Sequence, residues 1–183
     1  MSILYVQEFN AIFAVVQKRF GPAEPGWKFQ VEARDIPGRL FVETIPNRAD
    51  KAVTVRLRQS ANQYPQQRMY QLAHEAIHCL APRPRRDTLW IEEGFANWHA
   101  VNYPRLPSSY RKEARESIKG FLAPTYHAFL KLKPTDAQIA ALRKDQPVLD
   151  DVQADDIIKH FGATEELAKQ LIQRLPKDRP PEM

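Results

Sequence analysis

Apolar residues recur along this chain with two different periods, and the change of period marks its elements. From Met1 to Phe20 the apolar pattern carries Glu8, Asn10 and Gln17 through it. That pattern predicts an amphipathic helix and argues against a signal peptide or a membrane span. Trp27 to Glu32 and Leu40 to Ile45 cluster or alternate apolar residues as strands do, with Gly38 at the turn between them. The clearest strand is Lys51 to Arg58, with Val53, Val55 and Leu57 on one face and Thr54, Arg56 and Arg58 on the other. The period then lengthens. Between Gln63 and Leu80, Met69, Leu72, Ala73, Ala76, Ile77, Cys79 and Leu80 suit a helix buried along much of its length, with Pro65 in its first turn and Pro82 stopping it. A second helix is expected from about Thr88 to Tyr103, ending at Pro104.

Beyond Pro104 the chain reads as helical throughout. Helices are expected at about Ser109 to Lys119, Pro124 to Leu132, Thr135 to Lys144, Val152 to Phe161 and Thr164 to Leu175. Thr135 with Gln138 forms a capping box, and Gly162 suits a C-terminal cap. The fold class is therefore α+β. Residues 1–104 make the core, 105–175 a helical C-terminal part, and 176–183 a tail expected to be disordered.

Composition alters this picture little. The 183 residues, 43% hydrophobic and 27% charged, suit a single globular domain with or without an appendage, and no internal repeat is visible. One cysteine, Cys79, excludes an internal disulfide, and the chain as written is expected to be cytoplasmic without membrane attachment. Cys79 adjoins His78 but points about 100° away on a helix, which makes it a core residue. The net charge of +5 and a pI near 9.4 raise nucleic acid as a partner. Arg83-Pro84-Arg85-Arg86 is the densest basic cluster, yet no aromatic stripe or base-reading motif accompanies it. Around Gly162, the acids Asp155, Asp156, Glu165 and Glu166 disfavour contact with DNA. Nucleic acid is not assigned as a partner, and the oligomeric state stays open.

The most informative segment is His74-Glu75-Ala76-Ile77-His78. On a helix, positions i and i+4 share a face, so both imidazoles can reach a single metal ion, while Glu75 lies beside it. A carboxylate so placed can take a proton from water activated by zinc and pass it to a leaving amine. In a half-buried helix such polar groups cost about 1–3 kcal/mol each unless partnered, and a metal is such a partner. A catalytic zinc usually takes three protein ligands. An extension with glycine three and histidine six residues after the second ligand is excluded, because Ala81 and Pro84 stand there. The third ligand is sought in Trp90-Ile91-Glu92-Glu93-Gly94-Phe95-Ala96-Asn97-Trp98, where Glu92 or Glu93 could reach the ion. Gly94 costs a helix interior about 1 kcal/mol against alanine, and close approach to the histidine-bearing helix would explain it, favouring Glu93.

These motifs resemble the gluzincin metallopeptidases, in which a zinc-binding glutamate on a second helix follows His-Glu-x-x-His. Asp87 to Ala96 is similar to the ligand helix of the M1 aminopeptidases, whose glutamate also precedes Gly-Phe-Ala. The resemblance covers His74 to Val101. It implies a zincin-like fold with a small mixed sheet, one zinc ion held by His74, His78 and Glu93, Glu75 as general base and acid, and a peptide or protein substrate. The spacer of fourteen residues between His78 and Glu93 is shorter than in the M1 family, and no Gly-x-Met-x-Asn motif precedes it. Aminopeptidase specificity is therefore not carried over. Glu93-x-x-Ala96-Asn97-x-x-Ala100 and Asp156 to Ala168 also resemble the ImmA/IrrE regulatory proteases, although Val101-Asn102-Tyr103-Pro104 departs from that family's ending.

Two further expectations concern the cleft. The strand Lys51 to Arg58 is expected to present a free edge to an extended peptide, with a basic face that is either solvated or selective for acidic substrates. Tyr126, His127 and His160 are the candidate donors to the oxyanion. His99, on the face of Glu92, reads as a neighbour or a surface residue. A non-catalytic zinc-containing binding module and a basic nucleic-acid-associated protein are the rival functions.

Overall fold

The computed structural model describes residues 3–33, 43–47, 49–57, 64–83, 88–120 and 122–175. The expected turn at Gly38, the strand ends at Leu40 and Arg58, the loop residues Arg85 and Arg86, and the tail 176–183 lie outside them. Among the described residues the order is α1 (Ile3–Phe20), β1 (Lys28–Ala33), β2 (Glu43–Asn47), β3 (Ala52–Leu57), α2 (Pro65–His78), α3 (Trp90–Val101), α4 (Ser108–Glu116), α5 (Leu122–Lys131), α6 (Asp136–Asp145), α7 (Ala154–Phe161) and α8 (Glu165–Leu171), with a 3-10 turn at Leu149–Asp151 before α7. The fold is mixed and mostly helical. No helix among the described residues is long and apolar enough to cross a membrane.

Phe9, Ile12, Phe13, Val16 and Phe20 form one buried stripe along α1. Phe9 stacks on Phe13 at 5.5 Å and both rings meet Phe29 of β1, which fastens α1 to the sheet. In β3 the alternation read from the sequence is realised: Val53, Val55 and Leu57 are buried and the residues between them are half-buried. The strand order is β1-β3-β2, with β1 parallel and β2 antiparallel to β3. This corrects one expectation. β3 is the central strand, hydrogen-bonded on both sides, and offers no free edge to a substrate. Alternation reports burial of one face and is the same for a central and an edge strand. Arg56 is also not a free cation, since it pairs with Glu32, directly opposite it on β1.

α2 begins with Pro65 at a position where its missing N–H costs nothing, and buries Leu72, Ala73, Ala76 and Ile77. α3 packs between α2 and α5. Gly94 is needed at the second of these contacts: an added Cβ would lie 2.5 Å from Phe129 Cβ and 2.8 Å from the Thr125 carbonyl oxygen, both on α5. The expected close approach therefore exists, but toward α5 and not toward α2. Successive residues of a helix point about 100° apart, so Glu93 can face α2 only if Gly94 turns away from it.

The C-terminal helices are tied back to the core. The Arg143 guanidinium is buried and donates to the carbonyls of Phe20, Gly21, Pro22 and Pro147 at 3.0–3.3 Å, closing the C-terminal end of α1. Burial lowers its pKa to about 10, so it stays charged at neutral pH. At the start of α3, Leu89 bridges Arg174, Trp90 N–H donates to the Gln173 carbonyl, and Leu175 N–H donates to that of Thr88. The first turn of α3 is thus held by main chain from the far end of the sequence. The Thr135–Gln138 capping box forms as expected, and Gly162 ends α7 in the left-handed conformation at φ 65°.

Candidate metal centre

His74 and His78 share one face of α2, with ring centroids 5.1 Å apart and Nε2 atoms 3.2 Å apart. Glu93, in the first turn of α3, places its carboxylate oxygens 3.2 Å from His74 Nε2 and 3.6 Å from His78 Nε2. Each of the three side chains offers one ligand atom, and all lie within 4.8 Å of one another. Tetrahedral donors at ordinary zinc bond lengths stand about 3.3 Å apart. The separations here match that spacing, and two imidazoles with one carboxylate are a donor set suited to a divalent ion with a fourth position open. The residues fit a metal ion.

The other acids at the centre occupy separate places. Glu75 is buried and its Oε1 lies 4.0 Å from His74 Nε2, beside the three donors. Glu92 Oε1 lies 2.7 Å from Nδ1 of His78. The first turn of a helix favours negative charge, which suits both Glu92 and Glu93. Burial opposes the charged form of His78. The hydrogen bond to Glu92 and the fields of Glu92, Glu93 and Glu75 outweigh it and hold the pKa up at about 10. A metal ion entering the centre must displace that proton.

Behind the carboxylates runs a second polar layer that the sequence reading missed. Asn97 is buried, its Nδ2 donates to the Glu93 carbonyl at 3.0 Å, and its Oδ1 accepts from the Tyr70 hydroxyl at 2.9 Å. Burial, together with Glu93, pushes the Tyr70 hydroxyl pKa well up, so it is a donor throughout the working pH range. The signal was available: Tyr70 is four residues before His74 and Asn97 four after Glu93, on the same helix faces.

The expected oxyanion donors lie on α5 and α7. Tyr126 packs with Val101, Ala114 and Ile118 in a cluster that Tyr70 also packs against, and burial, partly offset by Arg115, raises its pKa. His127 is exposed, its ring 6.0 Å from that of Tyr126. His160 pairs with Asp145 at 3.1 Å. Helical period placed these residues on α5 and α7 but carried no information on how those helices dock. His99 is no surface residue either: it is fully buried, with Nδ1 3.2 Å from Arg19 Nη1. Cys79 is buried as expected. Of the basic loop cluster, Arg83 is described and is bound to Glu24 at 2.7 Å.

Comparison of the chain with protein-family models, with curated proteins and with solved structures returned no match. What this centre can do follows from its own atoms.

Proposed function

We propose that this chain is a zinc-dependent metallopeptidase of the gluzincin type, with a zincin-like core. The observation that carries the reading is the convergence of His74 Nε2, His78 Nε2 and the Glu93 carboxylate at 3.2–3.6 Å, with the Glu75 carboxylate alongside. His74, His78 and Glu93 would hold the ion, which when bound supplies Lewis acidity to water and to a carbonyl. Glu75 takes the proton of the attacking water and returns it to the leaving amine. Because its side chain is buried, bulk water competes weakly for that proton. The substrate is a peptide or protein. With β3 enclosed, β1 and β2 are the edge strands of the sheet among the described residues, and β2 also touches α2. An extended peptide pairing there would be held by main-chain hydrogen bonds without choice of sequence.

Zinc-loaded wild type and Glu75→Gln, compared on a mixture of peptides with metal content measured in parallel, test this reading. Wild type is expected to cleave. Glu75→Gln is expected to keep its zinc and lose about 100-fold or more in turnover. Absence of cleavage by zinc-loaded wild type, or undiminished cleavage by Glu75→Gln, contradicts it.

A further inference from the structure

The two adjacent glutamates of α3 meet opposite sides of one ring. Glu93 lies on the Nε2 side of His78, at 3.6 Å, whereas Glu92 Oε1 lies 2.7 Å from Nδ1. An imidazole gives a metal one nitrogen, and the partner of the other nitrogen sets both the tautomer and the turn of the ring. Glu92 has the distance for that partnership. It also has the setting, since its side chain is 15% exposed and His78 is 14% exposed, so water competes little for the hydrogen bond. Trp90, two residues before it, is held by the Gln173 carbonyl, which fixes the helix turn that carries Glu92.

We propose that Glu92 is a positioning residue of the metal centre. Its carboxylate accepts the Nδ1–H of His78 and so aims the Nε2 lone pair at the point shared with His74 and Glu93. The inference rests on the metal-binding reading above, and it divides the Glu92-Glu93 pair into a ligand and an orienting group. A ligand's removal takes away a bond to the ion. An orienting group's removal leaves all three ligands present but lets one of them turn.

Full-length wild type, Glu92→Gln, Glu92→Ala and Glu93→Ala, each stripped of metal, distinguish these roles. Each is titrated with zinc against a chromophoric chelator, and with cobalt(II) followed by visible absorption. Glu92→Ala is expected to weaken zinc binding about 10–100-fold and to alter the cobalt band while still binding. Glu92→Gln keeps an acceptor oxygen in nearly the same volume, so it is expected to fold and to fall between wild type and Glu92→Ala. Glu93→Ala is expected to lose more than either. Zinc affinity and cobalt spectrum unchanged in Glu92→Ala overturn the proposal, and so does a Glu92→Gln as impaired as Glu92→Ala, because the hydrogen bond would then count for nothing. If Glu92→Ala loses the ion while Glu93→Ala keeps it, Glu92 is the ligand and the assignment is reversed. Failure of wild type itself to bind zinc or cobalt removes the metal reading. Normal binding by wild type with an indifferent Glu92→Ala removes the positioning role alone.

Discussion

The ring of His99 is packed edge-on against Phe20 and Tyr103, and Arg19, itself clamped by both carboxylate oxygens of Asp136, donates to its Nδ1. An arginine can only donate, so the proton of the neutral ring is on Nε2. Burial and the Arg19 charge together lower its pKa to about 3. The folded chain therefore keeps His99 neutral where the unfolded chain, with a pKa near 6.5, takes up a proton. The associated stability is complete above about pH 6.5 and is lost as pH falls toward about 3, by up to about 1.4 kcal/mol per pH unit. Urea unfolding at pH 7 and pH 5 measures the effect. Wild type is expected to lose about 2 kcal/mol more than His99→Gln over that interval, and equal losses would show that His99 does not titrate as described. None of this was legible in the sequence, where seven residues of separation put His99 on the Glu92 face without saying that α1 covers that face. His74, Glu75 and His78 were legible as a group, because their spacing within one helix fixes their mutual directions before any packing is known, whereas spacing alone left both Glu92 and Glu93 able to reach an ion.

The helix boundaries were legible wherever the backbone needs a particular residue. Pro65 starts α2, Thr135 and Gln138 close the N-terminal end of α6, and Gly162 ends α7 in a conformation that other residues avoid. What each helix touches was not. Gly94 announced a close approach, but its expected partner was α2 and the one it meets is α5. Gly94→Ala tests the α5 contact: alanine gains about 1 kcal/mol of helix propensity, but its methyl would meet Phe129 Cβ at 2.5 Å and the backbone oxygen of Thr125 at 2.8 Å. A backbone carbonyl inside a helix cannot swing aside. The clash should win, leaving the variant about 1–3 kcal/mol less stable than wild type in urea unfolding. Equal or greater stability of Gly94→Ala would show that α3 and α5 are not in close contact at Gly94. Strand order was hidden for a similar reason. Val53, Val55 and Leu57 alternate correctly for either an edge or a centre, and it is pairing with both β1 and β2 that decides.

For the molecule as a whole, the pattern of elements and the two histidines came from local spacing, the choice of Glu93 over Glu92 did not, and the ties that hold these residues came from distant segments. Arg143 closes the end of α1, and Gln173 to Leu175 pins the first turn of α3, across separations that no periodicity reports. These ties give the centre its setting: α2 supplies two imidazoles, α3 supplies the carboxylate, and the C-terminal part keeps α3 in register. A site so pre-organised should bind its ion without folding around it, and binding should add to stability by mass action. Calorimetric titration of zinc into the metal-free protein, run on wild type and on Glu93→Ala, tests the centre most directly. Wild type is expected to take up one ion per chain and Glu93→Ala to lose that uptake or weaken it severely. No uptake by wild type, or uptake by Glu93→Ala as tight as that of wild type, would contradict a site built from His74, His78 and Glu93.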